Sequence, residues 1–254
     1  MITGYGHFVQ LAESLQWDET TIDLTADIES WPKLEQEEHD QVLGLLAGFC
    51  IGETSVATHL TSFQPAATTD DRMAEVLQAQ ARDEARHARF FDRVVRDVAG
   101  VPGDTMAQRV DALRDRVSPE LVELFEERLP TMAAEVAADH EQLTAGVGLY
   151  HMILEGVVLT AGQHALLETL KGCSVDMPGT HKGMELVLRD ERWHIGFGSR
   201  VIQSADVVDE QIEELLTQGV KAAQAWGDLI SADDIAKVEH LHQRRLKSVG
   251  IKFW

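Results

Sequence analysis

A chain of 254 residues with a formal net charge of −21 is long enough for one large domain with a full core. Its acidity argues against nucleic acid or an anionic membrane as partner, since both repel such a surface. With few aromatics, six prolines and only Cys50 and Cys173 as thiols, the composition favours an all-α protein without a disulfide framework, expected in a reducing cytoplasm.

In chain order, residues 1–33 read as an N-terminal arm with one short helix around residues 8–15. They lack the basic region and apolar core of a signal peptide. Trp17 and Trp31-Pro32 are expected to anchor the arm by their apolar surface. Residues 34–63 form a first long helix ending before Pro65, because the residue before a proline disfavours helical backbone. Thr68-Thr69-Asp70-Asp71 offers caps for a second helix to about residue 99, where Gly100-Val101-Pro102-Gly103 stops it. A charged connecting helix (104–117) follows, and Ser118-Pro119-Glu120 is a start signal with proline at the first helical position. Helical pattern then runs to about residue 172 with a break near Pro130. A fourth long helix (181–204) and two amphipathic helices (208–230 and 233–248) complete the chain. The expectation is one domain, residues 34–254, built on four long core helices plus satellites.

Two of those helices carry a chemical anomaly. Between residues 41 and 69 the only charged residue is Glu53, and between 142 and 167 it is Glu155. Both stretches are long enough to tempt a membrane reading. Their Gln, Thr, His and mid-span carboxylate, with no basic flanks, make them core helices instead. A lone carboxylate in such a helix costs several kcal/mol or more to bury unless it is protonated or paired. A shared cation cluster removes that cost.

The other two long helices supply further ligands. Asp83-Glu84-Ala85-Arg86-His87 and Asp190-Glu191-Arg192-Trp193-His194 are both Asp-Glu-x-x-His, and residues three apart on a helix face the same side. Four carboxylates and two imidazoles from four helices are the ligand set of dinuclear sites in ferritin-like bundles. Oxygen-rich donors with two His suit Fe or Mn. Asp83 and Asp190 are expected to accept the second ring N–H of the ligand histidines. A third match, Glu239-His240-Leu241-His242, lies on a charged terminal helix and is expected on a solvated face. If no metal were bound, the buried acids would need Arg86, Arg89, Arg189 or Arg192 as partners.

The stretches AGFCIGETSV (47–56), DEARH (83–87), YHMILEG (150–156) and DERWHIGFG (190–198) together resemble the small subunit of ribonucleotide reductase. More closely, they resemble its offshoot, the ligand-binding oxidases with a heterodinuclear Mn/Fe site. The resemblance covers roughly residues 17–204. It implies Glu53, Glu84 and His87 at one metal and Glu155, Glu191 and His194 at the other, with Glu84 and Glu191 bridging. The cofactor implied is Mn and Fe, or two Fe. It also implies an O2-activating oxidase that forms an ether cross-link between Tyr150 and Val56. The implied ligand is small and hydrophobic, of the long-chain carboxylic acid kind, and the implied assembly is a homodimer. Gly148, Gly156, Ala161 and Gly162 could leave room for a ligand slot or simply allow close helix packing. Sixty residues follow His194, fewer than the resemblance leads one to expect, and these help to enclose the ligand.

Two other functions stand beside the oxidase. One is the radical-generating small subunit of a ribonucleotide reductase. Phe91 occupies the position of its radical-storing tyrosine, however, and no tyrosine follows Ile230, Tyr5 lying at the other end. The other is a non-catalytic metal-storing ferritin-like bundle, which requires a large hollow assembly.

Overall fold

The computed structural model of the chain describes residues 4–68, 70–205 and 209–248, without the side chains of 209–213 and 216. Residues 1–3 of the arm, the capping candidate Thr69, and the last six residues expected in the domain lie outside the described residues. The arm carries α1 (Tyr5–Ser14) and α2 (Thr25–Ser30), two α-helices rather than one. Phe8, Ala12, Leu24 and Trp31 are buried, so the arm is packed onto the core. The core helices are α3 (Gln36–His59) and α4 (Asp71–Arg93). After α5 (Met106–Leu113), α6 (Pro119–Glu123), α7 (Leu129–Ala138) and α8 (Leu143–Val147) come α9 (Thr160–Gly172) and α10 (Pro178–Ser204). Helices α11 (Asp209–Ala222) and α12 (Ala232–Ser248) close the chain. Among the described residues there is no strand.

Local chemistry explains most boundaries. Glu35 and Glu38 close a capping box on α3, Asp70 accepts from Arg72 N at the start of α4, and Ser118 caps α6 as its sequence indicates. The start of α10 is capped from a distance. Buried Asp27 accepts from Gly179 N at 2.8 Å and Thr180 N at 2.6 Å, placing an anion on the positive end of a 27-residue helix.

Two boundaries differ from the sequence reading. The helix does not break at Pro130. A wide-turned π segment, Leu124–Arg128, carries the chain into α7, and Pro130 falls in the first turn of α7, where its missing N–H is tolerated. The interruption comes at Asp139, which caps the following turn. After α3 the chain runs on in tight 3-10 turns from Leu60 to Ala66, with Pro65 inside them.

The core is α3, α4, α10 and a continuous helix made of the π segment Gly148–Leu159 followed by α9. The two apolar candidate spans are 72% and 83% buried within the protein, so they are core helices. Small residues let them approach. A Cβ at Gly48 would lie 2.3 Å from the Trp226 ring and one at Gly162 would lie 2.2 Å from it. A single indole therefore fills the seam, and close packing accounts for Gly162. Phe91 stacks on Phe49 with centroids 4.8 Å apart.

Candidate metal centre

Each of the six side chains singled out in the sequence is fully buried at the centre of the bundle. Glu53 comes from α3, Glu84 and His87 from α4, Glu155 from the π segment, and Glu191 and His194 from α10. They form two groups that could each hold an ion, Glu53–Glu84–His87–Glu191 and Glu84–Glu155–Glu191–His194, with donor atoms within 4.8 Å of one another in each. His87 Nδ1 faces Glu53 Oε2 at 3.6 Å, Glu84 Oε2 at 3.4 Å and Glu191 Oε1 at 3.5 Å. His194 Nδ1 faces Glu84 Oε1 at 2.9 Å, Glu155 Oε1 at 3.4 Å and Glu191 Oε2 at 3.5 Å. Glu84 and Glu191 thus each turn one oxygen toward either imidazole, the geometry of a bridging carboxylate.

Arginine does not explain the cluster. Among the described residues, the ion pairs of the four glutamates are with His87 and His194 alone. Arg86 and Arg189 bind Asp83 and Asp190 instead, Arg89 binds Glu19, and Arg192 is exposed. Both oxygens of Glu53 and Glu191, one each of Glu84 and Glu155, and Nδ1 of both histidines have no hydrogen-bond partner. Buried polar atoms are normally satisfied, and these all converge on one point. Oxygen and imidazole donors without thiolate fit Mn or Fe.

Electrostatics without cations shows the same strain. Burial pushes Glu53 up to about 8 and drives Glu155 well above the carboxylate range, with the Glu191 carboxylate adding to it. Burial works in the same direction on Glu84, but the adjacent His194 and His87 outweigh it and hold Glu84 well below that range. Burial opposes the charged imidazoles, yet the surrounding carboxylates raise both His87 and His194 well above the usual histidine value. In place of cations, the cluster would be held together by protons.

Around the centre, the two Asp residues serve the histidines crosswise. Asp190 on α10 meets His87 Nε2 at 3.3 Å, and Asp83 on α4 faces His194 Nε2 at 3.5 Å. Arg86 ties the two acids together, at 2.7 Å to Asp83 and 2.9 Å to Asp190. The arm completes this layer. Trp17 Nε1 donates to Asp190 at 2.6 Å, and Gln16 donates to Asp83 at 3.2 Å. The sequence reading gave Trp17 only an apolar role, and Gln16 none.

Tyr150 and Val56 are both buried, Val56 lying three residues beyond Glu53 on α3. The Tyr150 hydroxyl donates to Glu84 Oε1 at 2.8 Å. Gln80, another residue the sequence did not flag, donates to Glu155 Oε1 at 2.8 Å and to Tyr150 Oη at 3.2 Å, while its carbonyl faces His151 Nε2 at 3.0 Å. Burial raises Tyr150 well above an ordinary phenol and lowers His151 to about 3, so both enter this network neutral. The third match, Glu239-His240-Leu241-His242 on α12, is only partly on the solvated face expected for it. His240 is exposed, but His242 is buried against Gly219 with Nε2 at 3.2 Å from Leu215 O.

A helical bundle whose facing helices bring four carboxylates and two imidazoles together is the architecture of the ferritin-like dinuclear carboxylate proteins. Within that class the chain belongs to the ribonucleotide reductase small-chain family, whose model, "Ribonucleotide reductase, small chain", matches residues 5–247. It is 23% identical over 234 residues to the ribonucleoside-diphosphate reductase small chain of Ostreid herpesvirus 1 (isolate France), a match covering 90% of this chain and 38% of that protein. The chain thus spans well under half the length of this relative. Among solved structures it is similar to variants of an R2-like ligand-binding oxidase. A valine-to-leucine variant with an anaerobically reconstituted Mn/Fe cofactor superposes with TM-score 0.80 at 22% identity. A glycine-to-leucine variant with a non-activated Mn/Mn cofactor superposes with TM-score 0.78 at 23% identity. Each match covers 97% of this chain and 92% of the other. At such identities the likeness establishes the fold.

Proposed function

We propose that this chain is an O2-activating dinuclear oxidase that holds Mn and Fe, or two Fe, with Glu53, Glu84 and His87 at one position and Glu155, Glu191 and His194 at the other. One observation carries the reading: six convergent, buried donor residues, most of whose inward atoms have no hydrogen-bond partner, with none of the four glutamates in an ion pair with arginine or lysine among the described residues. The Mn/Fe cofactors of the structurally similar R2-like oxidases support it. When bound, the metal pair supplies the electrons that reduce O2 and, once oxidised, a sink for hydrogen taken from a nearby bond.

The chain's own groups prepare that step. Asp190 bonds the outer nitrogen of His87, Asp83 stands 3.5 Å from that of His194, and Arg86 holds the two acids in place, so both Nδ1 atoms face inward. The apolar wall keeps water and stray reductants away. Tyr150 stays protonated because of burial, and its O–H points at Glu84, which can take the proton as the electron leaves. An ether bond from Tyr150 Oη to the Val56 side chain removes two hydrogens in total, the second from the Val56 C–H, and their two electrons end on O2.

The external ligand we assign to the same site is a small hydrophobic molecule, of the long-chain carboxylic acid class. A cavity of about 650 Å³ whose lining includes Met132, Leu149, Ile202 and Leu215 together with Gly148, Arg128 and the acids Glu141 and Glu214 opens beside the segment that carries Tyr150. Gly148, unlike Gly162, borders this open space. The assembly proposed is a cytoplasmic homodimer, which sedimentation would check; a large hollow cage would favour metal storage instead.

The alternative reading is a radical-generating reductase small subunit. Against it stands Phe91, buried in an aromatic stack where a radical-storing tyrosine is needed.

Aerobic loading with Mn(II) and Fe(II), followed by elemental analysis and peptide mass spectrometry, tests the proposal. About two metals per chain are expected, as is a linked peptide pair spanning Val56 and Tyr150 that lacks two hydrogens. A chain that retains no metal would overturn the oxidase; two metals without the linked pair would remove the cross-link alone.

A further inference from the structure

The segment that carries Glu155 is not an ordinary helix. Across Gly148–Leu159 the turns are wide, of the π type, and such turns depart from α-helical bonding and need support. Three carbonyls around Glu155 receive side-chain donors. Thr160 Oγ1 donates to Glu155 O at 2.7 Å, and Trp226 Nε1 donates to Val158 O at 2.7 Å. Between them, Arg245 Nη1 donates to Gly156 O at close range.

Two of these three donors come from the C-terminal part of the chain, Trp226 just after α11 and Arg245 on α12. Arg245 is part-buried, and among the described residues it has no carboxylate in ion-pair range. Burial lowers its guanidinium to about 10, against the opposing attraction of Glu155. Position 156 is suited to this contact. A Cβ there would sit 2.9 Å from His151 O and 3.3 Å from Arg245 Nη1, so only glycine lets the guanidinium reach the backbone freely. Buried Val238 and Leu246 seat α12 on either side of Arg245.

We propose that Arg245 is a positioning residue for Glu155. By holding the Gly156 carbonyl it fixes the wide turn in the register that aims Glu155 at the centre, and so ties the docking of α12 to capture of the ion at the Glu155–His194 position. Glu53 and His87 sit on α3 and α4, to which Arg245 makes no hydrogen bond or ion pair among the described residues, so the effect of Arg245 is confined to one of the two metal positions. This inference rests on the dinuclear reading of the site.

The test uses the full chain and Mn(II) alone, with free Mn(II) followed by electron paramagnetic resonance. Amide hydrogen exchange of the peptide spanning residues 148–160 is measured in the metal-free protein. In Arg245→Met, one of the two Mn(II) sites is expected to weaken about 10- to 100-fold, the usual effect of losing a support behind a ligand. The other site should keep its affinity, and the peptide should exchange faster. Trp226→Phe removes the indole donor to Val158 O together with part of the ring that fills the seam between Gly48 and Gly162. It is expected to speed exchange in the same peptide and weaken the same site by a smaller factor, and it serves alone if Arg245→Met does not fold. Wild-type Mn(II) binding and exchange in the variants would overturn the clamp, as would equal weakening of both sites. If the unsubstituted chain binds no Mn(II), the dinuclear reading fails, and unchanged exchange in the variants would then reject the clamp as well.

Discussion

Tyr150 donates its hydroxyl hydrogen to Glu84 Oε1 at 2.8 Å, joining the π segment to α4 across the middle of the bundle. Glu84 Oε1 is also the oxygen nearest His194, at 2.9 Å. The phenol therefore touches the carboxylate that spans both halves of the site, and an electron leaving the ring has a proton acceptor already in contact.

Tyr150→Phe separates metal capture from side-chain oxidation. Six donor residues remain, so about two metals per chain are still expected. Losing two buried hydrogen bonds, one to Glu84 and one from Gln80, should cost about 2 kcal/mol, a fall in Tm of roughly 4–8 °C for a protein of this size. No peptide pair lacking two hydrogens should appear after aerobic loading. If a cross-link at Val56 persisted in mass spectrometry, its partner would not be Tyr150.

Glu53 gives the opposite test, because neither of its oxygens has a partner. Glu53→Ala removes a buried acid that costs free energy in the metal-free chain and a ligand that is valuable in the loaded one. The metal-free variant should melt no lower than the parent beyond the small loss from the cavity. Under Mn(II) at about 100 times the dissociation constant, the parent gains about 2.7 kcal/mol per occupied site, and the variant should forfeit most of one such increment. Calorimetry with and without Mn(II) reads both. A variant that keeps two ions and the full upward shift in Tm would remove Glu53 from the site.

The six inner residues were legible because helical spacing is rigid. Glu and His three apart must share a face, and an isolated carboxylate on an apolar helix must meet something charged. What surrounds them depends on which helix lies opposite, and no local pattern encodes that. Asp83 precedes Glu84 in the chain yet serves His194, and Asp190 serves His87. Gln80 looks like any surface amide until α4 is set against the π segment. Trp17 and Gln16 join the site only because the arm folds back. The π segment left no sequence signal, and Pro130 suggested a break that the wide turn before it absorbs. His242 was misread because charged neighbours on α12 mask its buried face.

Proton linkage supplies a third prediction. Glu53 is raised by burial from 4.5 to about 8, Glu155 is raised by burial, and His87 and His194 are raised by the acids around them against the opposing effect of burial. Groups raised in the fold contribute stability below their unfolded values and lose it as pH climbs through the folded ones. Glu84 is lowered, so its contribution is present above about 4.5 and lost only on acidification. Burial holds His151 and His242 down at about 3 and about 4, which offsets the raised groups below the ordinary histidine value of 6.5. Between about pH 6.5 and 8 the raised groups set the slope, and the metal-free protein should become less stable as pH rises. Metal ions displace those protons, so the loaded protein should hold its Tm nearly level over the same interval, and Mn(II) uptake should release protons. Melting curves of both forms and calorimetry in buffers of different ionisation enthalpy decide it. A metal-free Tm that rises toward pH 8 would contradict the assigned shifts.

Arg86 supplies the last. Its guanidinium lies between Asp83 and Asp190 and also donates to Gln16 Oε1 at 3.0 Å, in a layer almost closed to solvent. Removing one member of a buried ion cluster leaves uncompensated charge, typically at a cost of about 3–5 kcal/mol. Arg86→Met should approach that cost in urea unfolding, and the freed Asp residues should let the imidazoles turn, weakening both metal positions together. The triple variant Arg86→Met, Asp83→Asn, Asp190→Asn removes the stranded charges, since asparagine keeps hydrogen-bonding capacity without the anion. It should recover much of the lost stability and little of the lost metal affinity, because a neutral amide orients a ligand imidazole less firmly than a carboxylate does. Recovery of both in step would mean that the Asp pair matters to this fold only as buried charge.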